Sequence, residues 1–400
     1  MTIAIREVAI AGYRSVRAIR FPLRQLNVFV GANGVGKTNL YRGLQLVRAA
    51  AAGTLARELA AEGGMESALW AGVRDPRKPA RIKLGVEFGT SGPSWDEADD
   101  APRSSLAQGY AIEVGLPMPG SGGRAAVAAF PLEPQIKAET LTSLEGRHPR
   151  VLLERRGPMT KALDAQGRKQ SHADGLMASE TALGSLDDPI HFPDVAIARR
   201  LMLDWRFYHD FRTDAAAPLR RPCLAVTTPT LSSDGADLAA VFATLVHIRE
   251  DTTELDAAID DAFPGAQLVC PVPGRHASFG IIFPDYPKRV FEMAELSDGT
   301  LRYLALMGAL LSYRLPGFVA LNEPETSLHP DLLGPLARLI ARAARHAQIW
   351  LVTHSEKLAT ELARHGGVTP RTIIRRDGGT WIEGLRLAGD FADEDFAEET

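Results

Sequence analysis

The sequence has 400 residues, of which 45% are hydrophobic and 24% charged, and its formal net charge is −4. This length and composition favour a globular chain of two lobes. The slight acidity excludes a protein whose whole surface binds nucleic acid, although it allows a local basic patch. No apolar run is long enough to span a membrane, and the amino terminus alternates like a strand rather than a signal peptide, so we expect a cytoplasmic protein with no membrane partner.

The amino-terminal third predicts strands around a glycine-rich turn. Strands are expected at residues 3–10, 26–31, 80–88 and 110–116. A helical pattern runs from Lys37 to about Leu59, directly after the turn. Residues 90–104 are rich in Ser, Gly, Pro and Asp, which predicts an exposed loop.

The carboxyl-terminal third alternates helices and strands. Helices are expected at 300–314 and 331–346, buried strands at 317–322 and 348–353, and a hairpin at 372–385, before an acidic tail that follows Asp390. Because strand, turn and helix stand at one end of the chain and helix–strand–helix–strand at the other, we predict an α/β fold. Its sheet would be mainly parallel and built from both termini, with an antiparallel β subdomain. An inserted α/β middle lobe would divide the chain into 1–90, 91–289 and 290–400.

The glycine-rich turn carries the most specific motif. Residues 31–38 read Gly-Ala-Asn-Gly-Val-Gly-Lys-Thr and match the P-loop (Walker A) pattern G-x-x-x-x-G-K-[ST] in full. Glycines let the backbone curl so that its N–H groups face phosphate oxygens, and the following helix adds its positive end. Lys37 places a cation on the β- and γ-phosphates, and the Thr38 hydroxyl can bind Mg²⁺. The predicted nucleotide-binding residues are Gly31, Ala32, Asn33, Gly34, Val35, Gly36, Lys37, Thr38 and Asn39.

A buried apolar strand, 318–322, ends in polar residues. Asn322 and Glu323 stand at its carboxyl end, where ligands bind on parallel sheets, and a carboxylate there can polarise an attacking water. This is the arrangement that a Walker B element requires.

Two shorter motifs flank that strand. The run Leu296-Ser297-Asp298-Gly299-Thr300 leads into a helix and resembles the ABC signature. This resemblance implies that Ser297, Asp298, Gly299 and the first helical amides bind a γ-phosphate. After the next strand comes His354, which resembles the switch histidine of ABC ATPases, and a neutral imidazole beside a phosphate can distinguish ATP from ADP. Either motif alone is weak, since Ser-Asp-Gly is also ordinary helix-cap chemistry.

Together, and in this order, these motifs resemble the ABC ATPases of the RecF/SMC type, in a compact RecF-like form related to OLD-like ATPases. The resemblance covers roughly residues 3–88 and 290–356 and fades between them. It implies that Lys37, Glu323 and His354 are catalytic, with Glu323 as the general base and His354 as the γ-phosphate switch.

The same resemblance implies an ATP-dependent homodimer. Ser297 of one copy would complete the nucleotide site of the other, so that ATP joins two copies and hydrolysis releases them. Thr38 and Asn322 would hold Mg²⁺. The family usually has Asp where this chain has Asn322, and a neutral amide holds a metal water less strongly. We therefore expect slow turnover, and a pseudo-ATPase that binds ATP without cleaving it is the alternative.

The middle segment contains a cluster of basic and aromatic residues within 199–221, which either contacts DNA or packs its aromatic rings in the core.

An ATP-switched ATPase associated with DNA, in repair or in defence against foreign DNA, is the first functional hypothesis. A regulatory ATPase that binds an effector protein and no nucleic acid is the second. The acid pairs Asp187-Asp188 and Asp260-Asp261 are more typical of solvated faces than of a metal centre. The basic and aromatic cluster named above consists of Arg199, Arg200, Trp205, Arg206, Phe207, Tyr208, Phe211, Arg212, Arg220 and Arg221.

The two cysteines, Cys223 and Cys270, lack metal-ligand spacing. We expect two reduced thiols that pack in the interior.

Overall fold

The computed structural model describes residues 3–90, 107–117, 130–144, 148–172 and 175–392. The loop predicted at 90–104 lies outside the described residues from 91 on, and so does the acidic tail from 393 on. The chain forms two compact units, each assembled from separate segments: Met1–Arg24, Gly31–Trp205 and Thr372–Thr400 in the first, Gln25–Val30 and Arg206–Arg371 in the second. No helix in the described ranges combines the length and apolarity that a membrane crossing needs.

The first unit is built on an eight-stranded sheet in the order β2-β1-β4-β5-β6-β7-β8-β9, in which every neighbouring pair is antiparallel. Alternation explains these strands: Ile82, Leu84, Val86 and Phe88 of β4 are buried, while the residues between them face the other side. The strands are β1 (Ile3–Tyr13), β2 (Val16–Pro22), β4 (Arg81–Thr90), β5 (Gln108–Gly115), β6 (Gln135–Ser143), β7 (Arg150–Arg156), β8 (Met159–Leu163) and β9 (Lys169–His172).

Helices and one hairpin complete the first unit. The helix predicted from Lys37 to Leu59 is two helices, because Gly53 takes a φ of 73° after the first one and turns the chain. The predicted carboxyl-terminal hairpin is confirmed by the antiparallel pairing of β18 with β19. These elements are α1 (Lys37–Ala51), α2 (Leu55–Ala61), α3 (Gly64–Ala68), α4 (Ala182–Ser185), α5 (Pro193–Asp204), β18 (Arg371–Arg376) and β19 (Gly379–Ile382).

The second unit contains a parallel sheet with the strand order β10-β16-β17-β3. β3 (Leu26–Val30) comes from the amino-terminal end of the chain, β16 (Phe318–Asn322) and β17 (Gln348–Thr353) from the carboxyl-terminal end, and β10 (Arg206–Tyr208) from the middle. All residues of β16 and β17 are buried, as expected for strands covered on both faces.

Helices surround the parallel sheet and share its core. α8 is buried from Leu301 to Leu311, whereas α9 and α10 bury one face each. Small antiparallel pairs and short helices fill the remainder. The elements are β11 (Cys223–Leu224), α6 (Leu238–Thr244) with a π-helical turn (Leu245–Arg249), α7 (Thr253–Ala262), β12 (Gln267–Val269), β13 (His276–Ala277), β14 (Gly280–Ile282), β15 (Phe291–Glu292), α8 (Asp298–Leu311), α9 (Leu333–Ala343) and α10 (Glu356–Gly366).

The sheets correct one prediction. We expected a mainly parallel sheet, but the larger sheet is antiparallel and the parallel pairing is confined to four strands. The prediction followed the helix–strand alternation of the termini. From β6 to β9 the connecting segments are 144–149, 157–158 and 164–168, which are too short for a parallel crossover, so these strands pair antiparallel. Strands of the middle segment, 91–289, occur in both sheets. The three-part division of the chain stays a prediction.

Candidate functional site

The P-loop lies in the first unit, between the end of β3 and the first turn of α1. Gly34 and Gly36 take φ values of 82° and 98°, which only glycine adopts without strain. Lys37 is buried, and its Nζ donates to the carbonyl oxygens of Gly31 at 2.6 Å and Ala32 at 3.0 Å. Residues 32–34 and Thr38 are exposed. The loop therefore presents an accessible backbone at the amino terminus of a 15-residue helix, the geometry that binds phosphate.

A hydroxyl pair that the sequence did not indicate holds this loop. Thr380 of β19 donates through Oγ1 to the Val35 carbonyl at 2.9 Å, and its Oγ1 lies 2.6 Å from Ser15 Oγ. Asn39 Nδ2 in turn donates to Ser15 Oγ at 2.6 Å. A Cβ on Gly36 would lie 1.9 Å from Thr380 Oγ1, so no larger residue fits there without a shift. The positions are distant in sequence and carry no motif, so only the fold brings them together.

The predicted Walker B residues stand at the carboxyl edge of the parallel sheet in the second unit. Asn322 ends β16, and the Glu323 N–H extends the strand ladder by donating to the Val352 carbonyl at 2.7 Å. Glu323 then takes a φ of 48°, and Ser327 a φ of 65°. Such left-handed conformations cost about 1–2 kcal/mol each in non-glycine residues. The backbone therefore turns sharply at Glu323, and the Glu323 side chain is half-buried at the edge.

His354 follows β17, the strand beside β16, and two carboxylates flank it. Its Nδ1 lies 3.2 Å from Glu325 Oε1 and 3.8 Å from Glu323 Oε1. Glu325 is buried and also accepts from the His354 N–H at 3.0 Å and from the Thr353 hydroxyl. Glu325 therefore fixes both the backbone and the ring of His354. Sequence reasoning missed this role, although the short spacing Glu323-Pro324-Glu325 was visible.

The structure thus brings Asn322, Glu323 and His354 together at one sheet edge. Their convergence with Lys37, which belongs to the other unit, stays a prediction.

Asn322 was expected to hold Mg²⁺, and its surroundings fit that role. The side chain is 3% exposed, its Nδ2 donates to His209 Nδ1 at 2.7 Å, and its Oδ1 has no hydrogen-bond partner among the described residues. A buried acceptor without a donor costs roughly 1–3 kcal/mol, so Oδ1 is suited to a ligand or a water. Oxygen atoms such as this one and the exposed Thr38 hydroxyl are the donors that Mg²⁺ prefers. The described ranges contain no cluster of three or more His, Cys, Asp or Glu side chains that could hold a metal alone.

The predicted signature residues form the amino terminus of α8. Ser297 is exposed and caps the helix by accepting from Thr300 N at 3.2 Å. Arg220 holds the segment, since it donates to Asp298 Oδ1 at 2.5 Å and to the Leu296 carbonyl at 2.7 Å. Whether a second copy uses Ser297 stays a prediction.

Gly299 lies against the loop that follows β16. A Cβ on Gly299 would approach the Ser327 carbonyl to 2.9 Å. The helix start that carries Ser297 and the loop that follows Glu323 are therefore in contact within one copy.

The basic and aromatic cluster of the middle segment packs as a core element. Trp205, Phe207, Tyr208 and Phe211 are each at most 7% exposed, so none of the four presents a ring for base stacking. For the aromatic residues, the structure therefore confirms the alternative in which their rings pack in the core.

The cysteines and the acid pairs are explained by ordinary contacts. Cys223 and Cys270 are free thiols, as expected, and both are partly buried and packed against the hydrophobic core of the second unit. Asp261 pairs with Arg338 at 2.6 Å, and Asp188 pairs with His191 at 2.6 Å, as expected for solvated faces.

Residues 160–360 match the family described as "AAA domain, putative AbiEii toxin, Type IV TA system". This range contains Ser297, Asn322, Glu323 and His354. A search of curated proteins finds no match.

Solved structures of SMC heads are similar across nearly the whole chain. The SMC head bound to the C-winged helix domain of ScpA is 14% identical, with a TM-score of 0.50, over 96% of this chain and 98% of that one. The head domain with an extended coiled coil from Pyrococcus furiosus is 11% identical over 99% of each chain, with a TM-score of 0.48. The SMC head domain from Thermotoga maritima is 12% identical over 96% of this chain and 99% of that one, with a TM-score of 0.40. The chain therefore belongs to the AAA-domain family that its sequence matches, and its fold is that of an SMC head, which confirms the RecF/SMC-type resemblance of its motifs.

Proposed function

We propose that this chain binds ATP with Mg²⁺ at residues 31–38 and hydrolyses it. The observation that carries the proposal is a strand register: Val30, the residue before the P-loop, lies level with Thr353, the residue before His354. The next strand, β16, ends at Asn322, level with Val352. Three adjacent parallel strands thus lead at their carboxyl ends into the phosphate loop, the switch histidine and the general base. Ligands of parallel α/β sheets bind at this edge.

Each residue has a role that follows from its chemistry. Lys37 exchanges its bonds with loop carbonyls for bonds with the phosphates, to which a cation donates more strongly. Glu323 accepts a proton from the attacking water, and His354, oriented by Glu325, donates to the γ-phosphate. Mg²⁺, when bound by Thr38 and Asn322, supplies positive charge against the phosphates. Because Asn322 is neutral, we expect slow turnover.

Association of two copies is the second part of the proposal. Ser297 stands exposed at the amino terminus of the 14-residue helix α8, where the helix dipole favours an anion. A γ-phosphate held by one copy is an anion that this helix end can bind in the other. ATP then stabilises the dimer, and loss of the γ-phosphate releases it.

For the partner of this switch, DNA and a regulatory protein are both candidates. The burial of the four aromatic residues favours the protein, because it removes base stacking as a DNA contact and leaves only the arginines of the cluster for the phosphates. The SMC head of the similar structure is itself bound to a winged-helix domain of ScpA. DNA association, in repair or in defence against foreign DNA, remains a proposal because the family resemblance implies it. A shift assay on duplex DNA at low salt, with and without ATP, distinguishes the two, since no shift in either state leaves the protein partner.

The central experiment measures ATP binding, phosphate release and solution mass for three forms of the full chain. We expect Lys37→Ala to lose ATP binding and Glu323→Gln to bind ATP, release little phosphate and accumulate as a dimer. A Glu323→Gln protein that stays monomeric in saturating ATP refutes the dimer switch. Phosphate release that is unchanged in Glu323→Gln removes that residue from the role of general base.

A further inference from the structure

The end of β16 pairs with a histidine that no motif indicates. Tyr208 of β10 lies level with Leu321 of β16, so the next residues, His209 and Asn322, are neighbours at the carboxyl edge. Asn322 Nδ2 lies 2.7 Å from His209 Nδ1. The amide oxygen of Asn322, on the other side of the same group, is buried and has no partner among the described residues.

This contact determines whether the oxygen or the nitrogen of the Asn322 amide faces away from His209. An amide nitrogen can only donate, so His209 Nδ1 is the acceptor and the neutral ring carries its proton on Nε2. The amide oxygen is thereby directed away from the ring. The opposite orientation needs the other ring tautomer and presents two N–H donors at the edge, which repel a cation.

The segment that carries His209 is itself anchored. Asp210, the next residue, pairs with Arg302 Nη1 of α8 at 3.1 Å, and the Arg302 side chain is only 8% exposed. A side chain whose backbone is tied on both sides, by β10 and by this ion pair, can orient its neighbour.

We propose that His209 is a positioning residue that holds the Asn322 amide with its oxygen available to the Mg²⁺ of bound ATP. The neutral His209–Asn322 pair then takes the place of the aspartate that related ATPases carry at this point. The inference rests on the proposed function, because it assumes an ATP site at this sheet edge. It predicts that His209 affects the Mg²⁺ requirement of nucleotide binding and leaves nucleotide affinity without Mg²⁺ unchanged.

The test is a Mg²⁺ titration of a fluorescent ATP analogue bound to full-length protein, in a Glu323→Gln background that suppresses hydrolysis. Binding is measured first in EDTA and then as Mg²⁺ is added. His209→Ala should raise the Mg²⁺ concentration at half-saturation about tenfold, the effect of one lost hydrogen bond of ordinary net strength. His209→Asn, which offers an amide oxygen near the position of Nδ1, should restore most of the loss.

Three further variants separate orientation of the amide from a merely structural role of His209. Asn322→Asp should lower the Mg²⁺ concentration at half-saturation, and in that background His209→Ala should have a much smaller effect, because a carboxylate has no wrong orientation. His247→Ala is the matched control. His247 bonds to the Cys270 carbonyl at 3.0 Å and neither residue belongs to the parallel sheet, so its loss should not change the titration.

Three results decide the inference. If His209→Ala titrates like the parent, or if it has the same effect with Asn322 in place as in the Asn322→Asp background, His209 does not position the amide. If the parent binds no analogue under any condition, the proposed ATP site fails and the inference fails with it. Loss of EDTA binding in His209→Ala, with thermal stability unchanged, assigns His209 to the nucleotide instead and overturns the positioning role.

Discussion

The substitution Gly36→Ala tests how the P-loop is held. Gly36 has a φ of 98°, and a Cβ there would lie 1.9 Å from Thr380 Oγ1 and 2.4 Å from Ser15 Oγ. The backbone strain of an alanine at such a φ is about 1–2 kcal/mol. The overlap adds about 1–3 kcal/mol, because the two hydroxyls are hydrogen-bonded to each other and must shift together. The sum of about 2–5 kcal/mol corresponds to a loss of roughly thirtyfold to several thousandfold in ATP affinity, if the loop must keep its shape to bind.

Gly34→Ala is the matched control for Gly36→Ala. Gly34 has a similar φ of 82°, but a Cβ there meets nothing within 4 Å, so the variant carries the strain without the overlap. Isothermal titration with ATP should therefore show a loss of about five- to thirtyfold for Gly34→Ala and at least a further fivefold for Gly36→Ala. Equal affinities of the two variants would refute the role of the Ser15–Thr380 pair. Thermal melting of both proteins separates a loop defect from global unfolding.

Two further predictions concern other parts of the second unit. Glu325→Ala should lower the rate of phosphate release about tenfold or more while ATP affinity changes little, because it frees the His354 ring. The variant also leaves the backbone N–H of His354 without its acceptor, which should lower the free energy of unfolding by roughly 1–3 kcal/mol. Glu325→Gln, which keeps the acceptor oxygen, is the control, and an unchanged rate in folded Glu325→Ala contradicts the positioning of His354. Burial raises the pKa of the Cys270 thiol to about 12. At pH 8 this thiol should therefore react with iodoacetamide roughly a thousandfold more slowly than an unperturbed thiol. Raising the pH towards 10 should accelerate the reaction, because the thiolate fraction grows. Peptide mass spectrometry measures the alkylation, with protein unfolded in urea as the reference, and rapid labelling of native Cys270 would show that the thiol is not shielded.

The motifs could be predicted because their chemistry is local. A P-loop needs consecutive backbone N–H groups, glycines and one lysine, so the string at 31–38 contains its own explanation. The same holds for Glu323 and His354, each of which follows a strand made recognisable by its unbroken apolar run. The strands predicted at 26–31, 317–322 and 348–353 are confirmed as β3, β16 and β17, since burial on both faces leaves a compositional signature. β2 (Val16–Pro22) was not predicted.

What holds these motifs in place was decided by tertiary structure alone. Ser15 and Thr380 meet only because the hairpin of β18 and β19 returns to the turn between β1 and β2. His209 reaches Asn322 only because β10 pairs in parallel with β16, a register that depends on hydrogen bonds between strands distant in sequence.

The direction in which the strands pair shows the same difference between local sequence and tertiary structure. The sequence by itself indicated the strands that precede the P-loop, Glu323 and His354, because periodicity and motif are properties of neighbouring residues. It did not determine that the larger sheet is antiparallel, since an alternating strand can pair in either direction. Those pairings, and the hydroxyl, amide and carboxylate contacts that they create, exist only in the folded chain.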